Sequence, residues 1–313
     1  VRAEACPICY SSNMPPLKWI AERSAQLPLA TVAKEAVGTR LEGVLYFLPR
    51  AAFLWQEDGE HVHGLRVASR RAAATLDLFG PLLPRKRAGS LSRSLKQIRK
   101  SADEARDLVV FRARLSEQND ARAPTFQSRL HKKRRKAQHA IVDVAIPLLT
   151  DDTFASQVRR LLKKVAVSGD DPALFGEWSV QQLEKEWRLF VADLPPNNPV
   201  PDELHQFRIA GKRFRYAIEV LSGGLPEQIR VELYPQIEKL QGKLGAIQDR
   251  AVAADRLFKW QTGSRDAKEK RFLADLEAAE RTRFAELAED FRAWWQPEYV
   301  ERLGQLVRKV VAG

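Results

Sequence analysis

The chain has 313 residues, a formal net charge of +12 and a hydrophobic content of 44%. This length and apolar content predict a folded protein with two domains or one large one, and the positive charge favours an anionic partner. The longest apolar stretch, residues 140–149, is interrupted by Asp143 and is too short to cross a bilayer, which excludes a membrane-spanning protein. No signal peptide is visible, so we expect a cytoplasmic protein.

Apolar residues recur at helical spacing along most of the chain, whereas strand patterns are nearly absent. The sequence therefore predicts an all-α fold. Residues 1–28 contain four prolines and are predicted to be irregular. In the first half we predict helices over residues 30–48, 63–79, 91–114 and 124–149, with Pro49 ending the first of them.

The second half repeats this order of elements. The segment 168–172, Ser-Gly-Asp-Asp-Pro, is predicted to be a linker between repeats covering residues 29–168 and 172–313. Asp202 is predicted to cap the second helix of this half. Short connections favour two antiparallel four-helix bundles. The predicted helices cover residues 177–192, 202–221, 227–262, with an interruption near Pro235, and 265–295.

The excess positive charge belongs entirely to the first half. Residues 1–150 contain 26 Lys and Arg against 14 Asp and Glu, whereas residues 151–313 contain 26 of each class. One basic run without acids begins at Arg85 and ends at Lys100, and its role is left open. In a second run, apolar residues at helical spacing predict that four cations share one helix face: Arg129, Lys132, Lys133 and Lys136.

Two segments of the chain repeat each other at an offset of 142 residues. The segment that begins with His63 recurs from His205, with Arg, a β-branched residue and a basic pair in the same register. Arg106-Asp107 likewise corresponds to Gln248-Asp249. Several matches at one offset indicate an internal duplication of about 140 residues.

On a helix, positions i, i+3 and i+7 lie on one stripe, so each repeat should present a row of cations. Beside each row we predict an apolar packing stripe, Val67, Ala74 and Leu78 in the first copy and Ile209, Tyr216 and Val220 in the second. The ordinary alternative is a buried, hydrogen-bonded histidine beside solvated arginines, which the duplication disfavours. The cationic rows contain His63, Arg66 and Arg70 in the first copy and His205, Arg208, Lys212 and Arg215 in the second.

These repeated motifs resemble those of the CHAD family, the conserved histidine α-helical domain. The resemblance extends over about residues 30–300, and the second copy is the closer match. The first copy departs from the pattern at Ala73, where the second has Arg215, and at Asp103, where the second has Gly245. The matching motifs are His63-x-x-Arg66-Val67-x-x-Arg70-Arg71, Arg106-Asp107, His205-x-x-Arg208-Ile209-x-x-Lys212-Arg213-x-Arg215-Tyr216 and Leu240-Gln241-x-x-Leu244-Gly245-x-x-Gln248-Asp249.

The resemblance implies two four-helix bundles related by a pseudo-two-fold axis, with a basic central channel between them. It also implies binding of inorganic polyphosphate without catalysis, and we add association with polyphosphate granules as an expectation. No cofactor is implied. The residues predicted to bind polyphosphate are His63, Arg66, Arg70, Arg71, His205, Arg208, Lys212, Arg213 and Arg215, with Arg129, Lys132, Lys133 and Lys136 as a second wall.

Two other classes of function are open on the sequence. An RNA or other nucleic-acid backbone could bind the same cations, although single-strand binders usually add aromatic residues for stacking, and only Phe207 and Tyr216 adjoin the rows. A polyphosphate-processing enzyme would need metal-binding carboxylates. Asp107 and Asp249 are the acids at repeat-matched positions, and orienting an arginine is the role that we favour for them.

Cys6 and Cys9 form a C-x-x-C pair, which could be half of a zinc site or a redox pair. The chain has no second cysteine pair, so we predict neither a metal site nor a redox role. The histidines predict a dependence on pH. If His63 and His205 contact phosphate as imidazolium, affinity should rise as the pH falls through about 6.5.

Overall fold

A computed structural model describes residues 18–20, 25–116, 123–150, 153–165, 173–196 and 199–312. These residues form helices joined by short connections, apart from an isolated antiparallel bridge between Pro28 and Leu174. The all-α prediction is therefore confirmed. The chain divides into two compact units, Val1–Phe175 and Gly176–Gly313. The cysteine pair and the predicted linker at 168–172 lie outside the described residues.

In the part of the first unit that the structure describes, five α-helices and one short 3-10 helix, Gly80–Leu82, are present. The helix α1 packs against α2, α2 against α3, α3 against α4, and α4 returns to α1, while α5 lies against α1, α3 and α4. Their apolar faces meet in a core of completely buried residues that includes Leu41, Leu65 and Leu91. The helices are α1 (Leu29–Phe53), α2 (Glu60–Leu78), α3 (Arg85–Ser116), α4 (Ala123–Leu149) and α5 (Thr153–Leu162).

The described residues of the second unit also form five α-helices, with two short helical segments of other types between α7 and α8. A short π-helical segment, Ile229–Leu233, directly precedes α8, so the chain changes from a π-helix to an α-helix where an interruption near Pro235 was predicted, and the helix is not broken there. The helix α8 packs against α7 and α9, and the π-helical segment packs against α10. The helices are α6 (Phe175–Ala192), α7 (Pro201–Leu221), α8 (Tyr234–Gly263), α9 (Ala267–Trp294) and α10 (Pro297–Ala312).

Aromatic packing joins α6, α7 and the end of α9 in the second unit. The Phe190 ring stacks on Phe214 with the centroids 5.2 Å apart, and it contacts Phe207 at the same distance. Trp295 packs against Phe207 at 5.3 Å. Phe190, Phe207 and Phe214 are all buried. This cluster fixes α7 along its apolar side, so the cations of α7 project from the remaining part of its surface.

Pro49 lies inside α1, which continues to Phe53, so the predicted end of this helix was wrong. An internal proline removes one backbone hydrogen bond and costs about 3 kcal/mol. Leu48, Ala51 and Ala52 are all buried, and their burial offsets that cost. The helices α5 and α10, and the start of α3 at Arg85 instead of residue 91, were also not predicted.

The predicted packing stripes agree only in part with the observed ones, since Tyr216 and Val220 are buried as predicted but the other members are not. Ile209 is 48% exposed, and Val67, Ala74 and Leu78 are only half-buried. The prediction of Asp202 as a helix cap was also wrong, since Val200 is the N-cap and its N–H donates to the Glu203 carboxylate at 2.8 Å. The buried apolar residues are Val62, Leu65, Ala68, Ala72 and Leu76 in α2 and Leu204, Phe207, Ala210, Phe214, Tyr216, Ala217, Ile218, Val220 and Leu221 in α7.

A close approach at Gly64 sets the position of α2 on α1. A Cβ atom at this position would lie 2.3 Å from Cε1 of Phe47, a distance that no side chain can adopt without displacing the ring. The glycine therefore lets the start of α2 lie directly on the Phe47 ring. It is next to His63, so this contact also fixes the position of the first histidine.

Candidate polyanion-binding site

The cationic row of α2 lies beside α3, which supplies both acids and a further cation. The Arg66 guanidinium lies 3.0 Å from the Asp103 carboxylate and 3.5 Å from that of Asp107. The Arg66 side chain is only 13% exposed, so these acids fix its orientation. The role predicted for Asp107, orienting an arginine, therefore agrees with the structure. Arg70, one turn further along α2, is half-buried.

Arg106 is a cation of this region that the predicted list of binding residues omits. It pairs with Glu60 at 3.2 Å, and its side chain is 21% exposed. Burial lowers the pKa of His63, and the positive charges of Arg106, Arg66 and Arg70 lower this pKa further, whereas Glu60 raises it. Arg106 directly precedes Asp107, and the repeat matches this pair to Gln248-Asp249. That match was the sequence signal that could have identified Arg106.

Because the pKa of His63 is lowered in the free protein, we predict that polyanion affinity rises as the pH falls through the interval between the bound and the free pKa of His63. A bound anion stabilises the imidazolium and raises the His63 pKa, so binding takes up a proton between the free and bound pKa values. Each unit of separation strengthens binding at most about tenfold. Binding titrations at a series of pH values should show this rise, and His63→Gln should remove the part due to His63. A His63→Gln profile equal to that of the unmodified protein would contradict the prediction.

The lowered pKa of His63 also affects the stability of the fold, which changes with pH in the opposite direction to the binding affinity. Because folding lowers the His63 pKa, the unfolded chain binds the proton more readily, and the free energy of unfolding declines as the pH falls below 6.5. Melting temperatures measured at each pH therefore have to accompany the binding titrations.

His205, the repeat equivalent of His63, has a different environment. Its Nδ1 lies 2.6 Å from Oε1 of Gln248, the residue that corresponds to Arg106. The amide oxygen accepts the Nδ1 hydrogen, which leaves Nε2 as the second polar atom of the ring. His205, Arg208 and Lys212 are all half-buried on α7. The cationic row of the second copy is therefore formed by side chains that keep part of their surface in solvent.

Arg213 makes a two-pronged ion pair with Glu186 of α6. Its Nε and Nη2 atoms each donate to a different oxygen of Glu186 at 2.8 Å. Successive residues on a helix point about 100° apart, so Arg213 lies well away from the row of Lys212. The same rotation separates Arg71, which is half-buried, from Arg70. The structure gives Arg213 a role in joining α6 to α7, and its contact with polyphosphate stays a prediction.

Arg215 belongs to a buried polar network that the sequence did not predict. Its Nη1 donates to Glu219 at 3.1 Å and lies 3.1 Å from the Tyr234 hydroxyl, which itself donates to Glu219 at 2.8 Å. Glu219 is fully buried, and burial together with the Glu219 charge raises the pKa of Tyr234. The first copy has Ala73 in place of Arg215, so this network belongs to the second unit.

The second predicted wall lies on α4. Arg134, which the prediction omits, is half-buried there: its guanidinium lies over the Trp55 ring at 4.9 Å, and Nη2 donates to the Trp55 carbonyl. Burial, followed by repulsion from Arg112, lowers the pKa of Arg134. The helix therefore presents an exposed basic face whose predicted members are Arg129, Lys132, Lys133 and Lys136.

The family model of the CHAD domain matches residues 35–258, which is more than half of the chain. The chain belongs to the CHAD family. Both copies of the histidine motif lie within the matched residues, so the resemblance seen in the sequence is confirmed. A search of curated proteins found no match.

Two solved structures resemble this CHAD protein in fold. One is the crystal structure of the CHAD domain from the plant Ricinus communis, with a TM-score of 0.70, 18% identity, and coverage of 94% of this chain and 96% of that one. The other is PptA from Streptomyces chartreusis, with a TM-score of 0.62, 19% identity, and coverage of 86% and 99%. At these identities the likeness concerns the fold alone.

Histidine, cysteine, aspartate and glutamate side chains are the usual ligands of metal ions in proteins. Within the described residues, no cluster of three or more such side chains could hold a metal ion. Likewise, none of the helices in this part of the chain has the length and hydropathy of a membrane span.

Proposed function

We propose that this CHAD protein binds inorganic polyphosphate, without catalysis, through the cations of α2, α4 and α7. The observation that carries the proposal is the pair of repeat-matched histidine and arginine rows, whose members are half-buried on α2 and α7. Residues three apart on a helix are separated by about 4.5 Å along the axis, so one row can contact several phosphates of a chain. Arginine binds phosphate oxygens in a two-pronged manner, and lysine contributes a point charge.

The aromatic residues beside the α7 row favour a polyanion without bases. Phe207 is completely buried and Tyr216 is 6% exposed, so neither ring offers a face on which a base could stack. Single-strand nucleic-acid binders use exposed aromatic rings for this purpose. A nucleic-acid backbone is therefore the second candidate, because it could use only the phosphate contacts of the same cations.

We also propose that the protein does not catalyse a reaction on polyphosphate. The repeat-matched acid of the first copy, Asp107, forms an ion pair with an arginine. Asp107 lies 3.5 Å from Arg66, the geometry of an orienting ion pair. Phosphoryl transfer or hydrolysis normally relies on carboxylates that hold metal ions against the phosphates. A polyphosphate-processing enzyme is accordingly the least supported of the three candidates.

The duplication is proposed to underlie the fold as well as the binding residues. We assign residues 29–168 and 172–313 to two antiparallel four-helix repeats that are related by the internal duplication. The closed packing of α1 to α4 supports the first bundle, and the equivalent positions of the motifs on α2 and α7 support the relationship. A cytoplasmic location with recruitment to polyphosphate granules completes the proposal.

A competition experiment tests this function. Long-chain polyphosphate should displace single-stranded RNA, matched in phosphate concentration, from the protein at about 150 mM salt, and the recovered polyphosphate should keep its length. RNA binding that equals or exceeds polyphosphate binding would identify a nucleic-acid protein instead. Shortened polyphosphate chains would identify an enzyme. The experiment is performed with and without added Mg²⁺, so that metal-dependent cleavage of polyphosphate is also detected.

A further inference from the structure

Asp103 is the acid nearest to the central arginine of the first cationic row. Its carboxylate lies 3.0 Å from Nη2 of Arg66, while Asp107 lies 3.5 Å from Nη1. The two terminal nitrogens of Arg66, with which a guanidinium can bind phosphate oxygens, therefore each face a different carboxylate. Any phosphate that binds these two nitrogens has to compete with the internal acids.

The second copy of the motif lacks this acid. At the offset of 142 residues Asp107 corresponds to Asp249, whereas Asp103 corresponds to Gly245. A Cβ atom at Gly245 would meet no other atom within 4 Å, so the packing would accept a side chain there. The two copies consequently differ at this position in charge, and steric exclusion does not account for the glycine.

We propose that Asp103 is an internal counter-ion of Arg66 and that bound polyphosphate displaces the Asp103 carboxylate. The need to displace this carboxylate makes the site selective for long chains. This role rests on the proposed function. A short phosphate has few groups with which to displace the carboxylate, whereas a long chain bound elsewhere on the rows presents many phosphates at a high effective concentration. The Asp103 side chain is 45% exposed, so it can move into solvent when it is displaced.

Asp103→Asn removes the negative charge and keeps the shape of the side chain. We expect long-chain polyphosphate to bind about fivefold more tightly, since a partly exposed ion pair contributes up to about 1 kcal/mol. The gain for triphosphate should be larger, so the ratio of the two affinities should fall. The matched control is Glu104→Gln, which makes the same charge change on the exposed neighbouring position of α3, about 100° around the helix.

The measurements are titrations of both probes into the unmodified protein and the two variants at equal salt concentration. Tighter binding in Asp103→Asn but not in Glu104→Gln, with a reduced preference for the long chain, supports the counter-ion role. Equal gains in both variants, no gain, or weaker binding in Asp103→Asn would each overturn it. Absence of polyphosphate binding in the unmodified protein would instead overturn the proposed function, and this result is read before either variant is compared.

Discussion

Polyphosphate binding is expected to weaken on the order of a hundredfold when Arg66 and Arg208 are both replaced by alanine. These arginines occupy the same position of the two repeats, three residues after His63 and His205. A hydrogen bond to a charged group contributes about 1.5–3 kcal/mol, so losing two guanidinium contacts should cost about 3 kcal/mol or more. Titration of long-chain polyphosphate measures the loss, and circular dichroism verifies that the helices are retained.

The matched control for this pair is Arg281→Ala with Arg283→Ala. It lowers the net charge equally, but both side chains are more than half exposed on α9 and pair with acids of their own helix. We expect this control to bind almost normally, with a change limited to the general electrostatic attraction. Equal affinity of the Arg66 and Arg208 double variant and the unmodified protein would show that the cationic rows are not the binding site.

The largest effect on stability is expected for Glu219→Ala. This glutamate is fully buried, accepts hydrogen bonds from Arg215 and Tyr234, and provides the charge closest to the Arg215 guanidinium. The Arg215 side chain is only 16% exposed, so removal of Glu219 leaves a nearly buried cation without its main counter-charge. Such a loss costs about 3–5 kcal/mol. Urea unfolding at neutral pH measures the change in the free energy of unfolding.

Tyr234→Phe is the milder variant of the same network. It removes one hydroxyl and keeps the ion pair between Arg215 and Glu219, so we expect a cost of about 1 kcal/mol. Equal losses of stability in Glu219→Ala and Tyr234→Phe would indicate that the hydroxyl, rather than the charge pair, holds α7 against α8. A Glu219→Ala variant as stable as the unmodified protein would contradict the account altogether.

Helical periodicity predicted most of the secondary structure because spacing along a helix is a local property. The second helix was predicted over residues 63–79 and extends over Glu60–Leu78. The first was predicted to end at Pro49, and it continues to Phe53 because burial of Ala51 and Ala52 offsets the cost of the proline. Burial depends on packing partners that are distant in the sequence, so local rules cannot give it.

The residues of the candidate site likewise divide into those that local sequence rules predicted and those whose role depends on packing. The internal repeat predicted Arg66 and Arg208 as binding residues from their equivalent positions alone, because a duplication can be recognised directly in the sequence. It also placed Arg215 among the phosphate ligands, whereas the structure surrounds this residue with Glu219 and Tyr234. Glu219 follows Arg215 by four residues on α7, so this ion pair is local, whereas the Tyr234 hydroxyl reaches Arg215 only because α8 packs against α7.

The helical class, the basic character, the internal repeat and membership of the CHAD family could all be read from the residue types and their spacing. Ion pairs between different helices, in contrast, depend on the tertiary structure. Arg66 with Asp103, and Arg213 with Glu186, meet across different helices, so their pairing follows from helix packing. The physical reason is that the strength of a charge depends on its distance from other charges and on its burial, and folding sets both quantities.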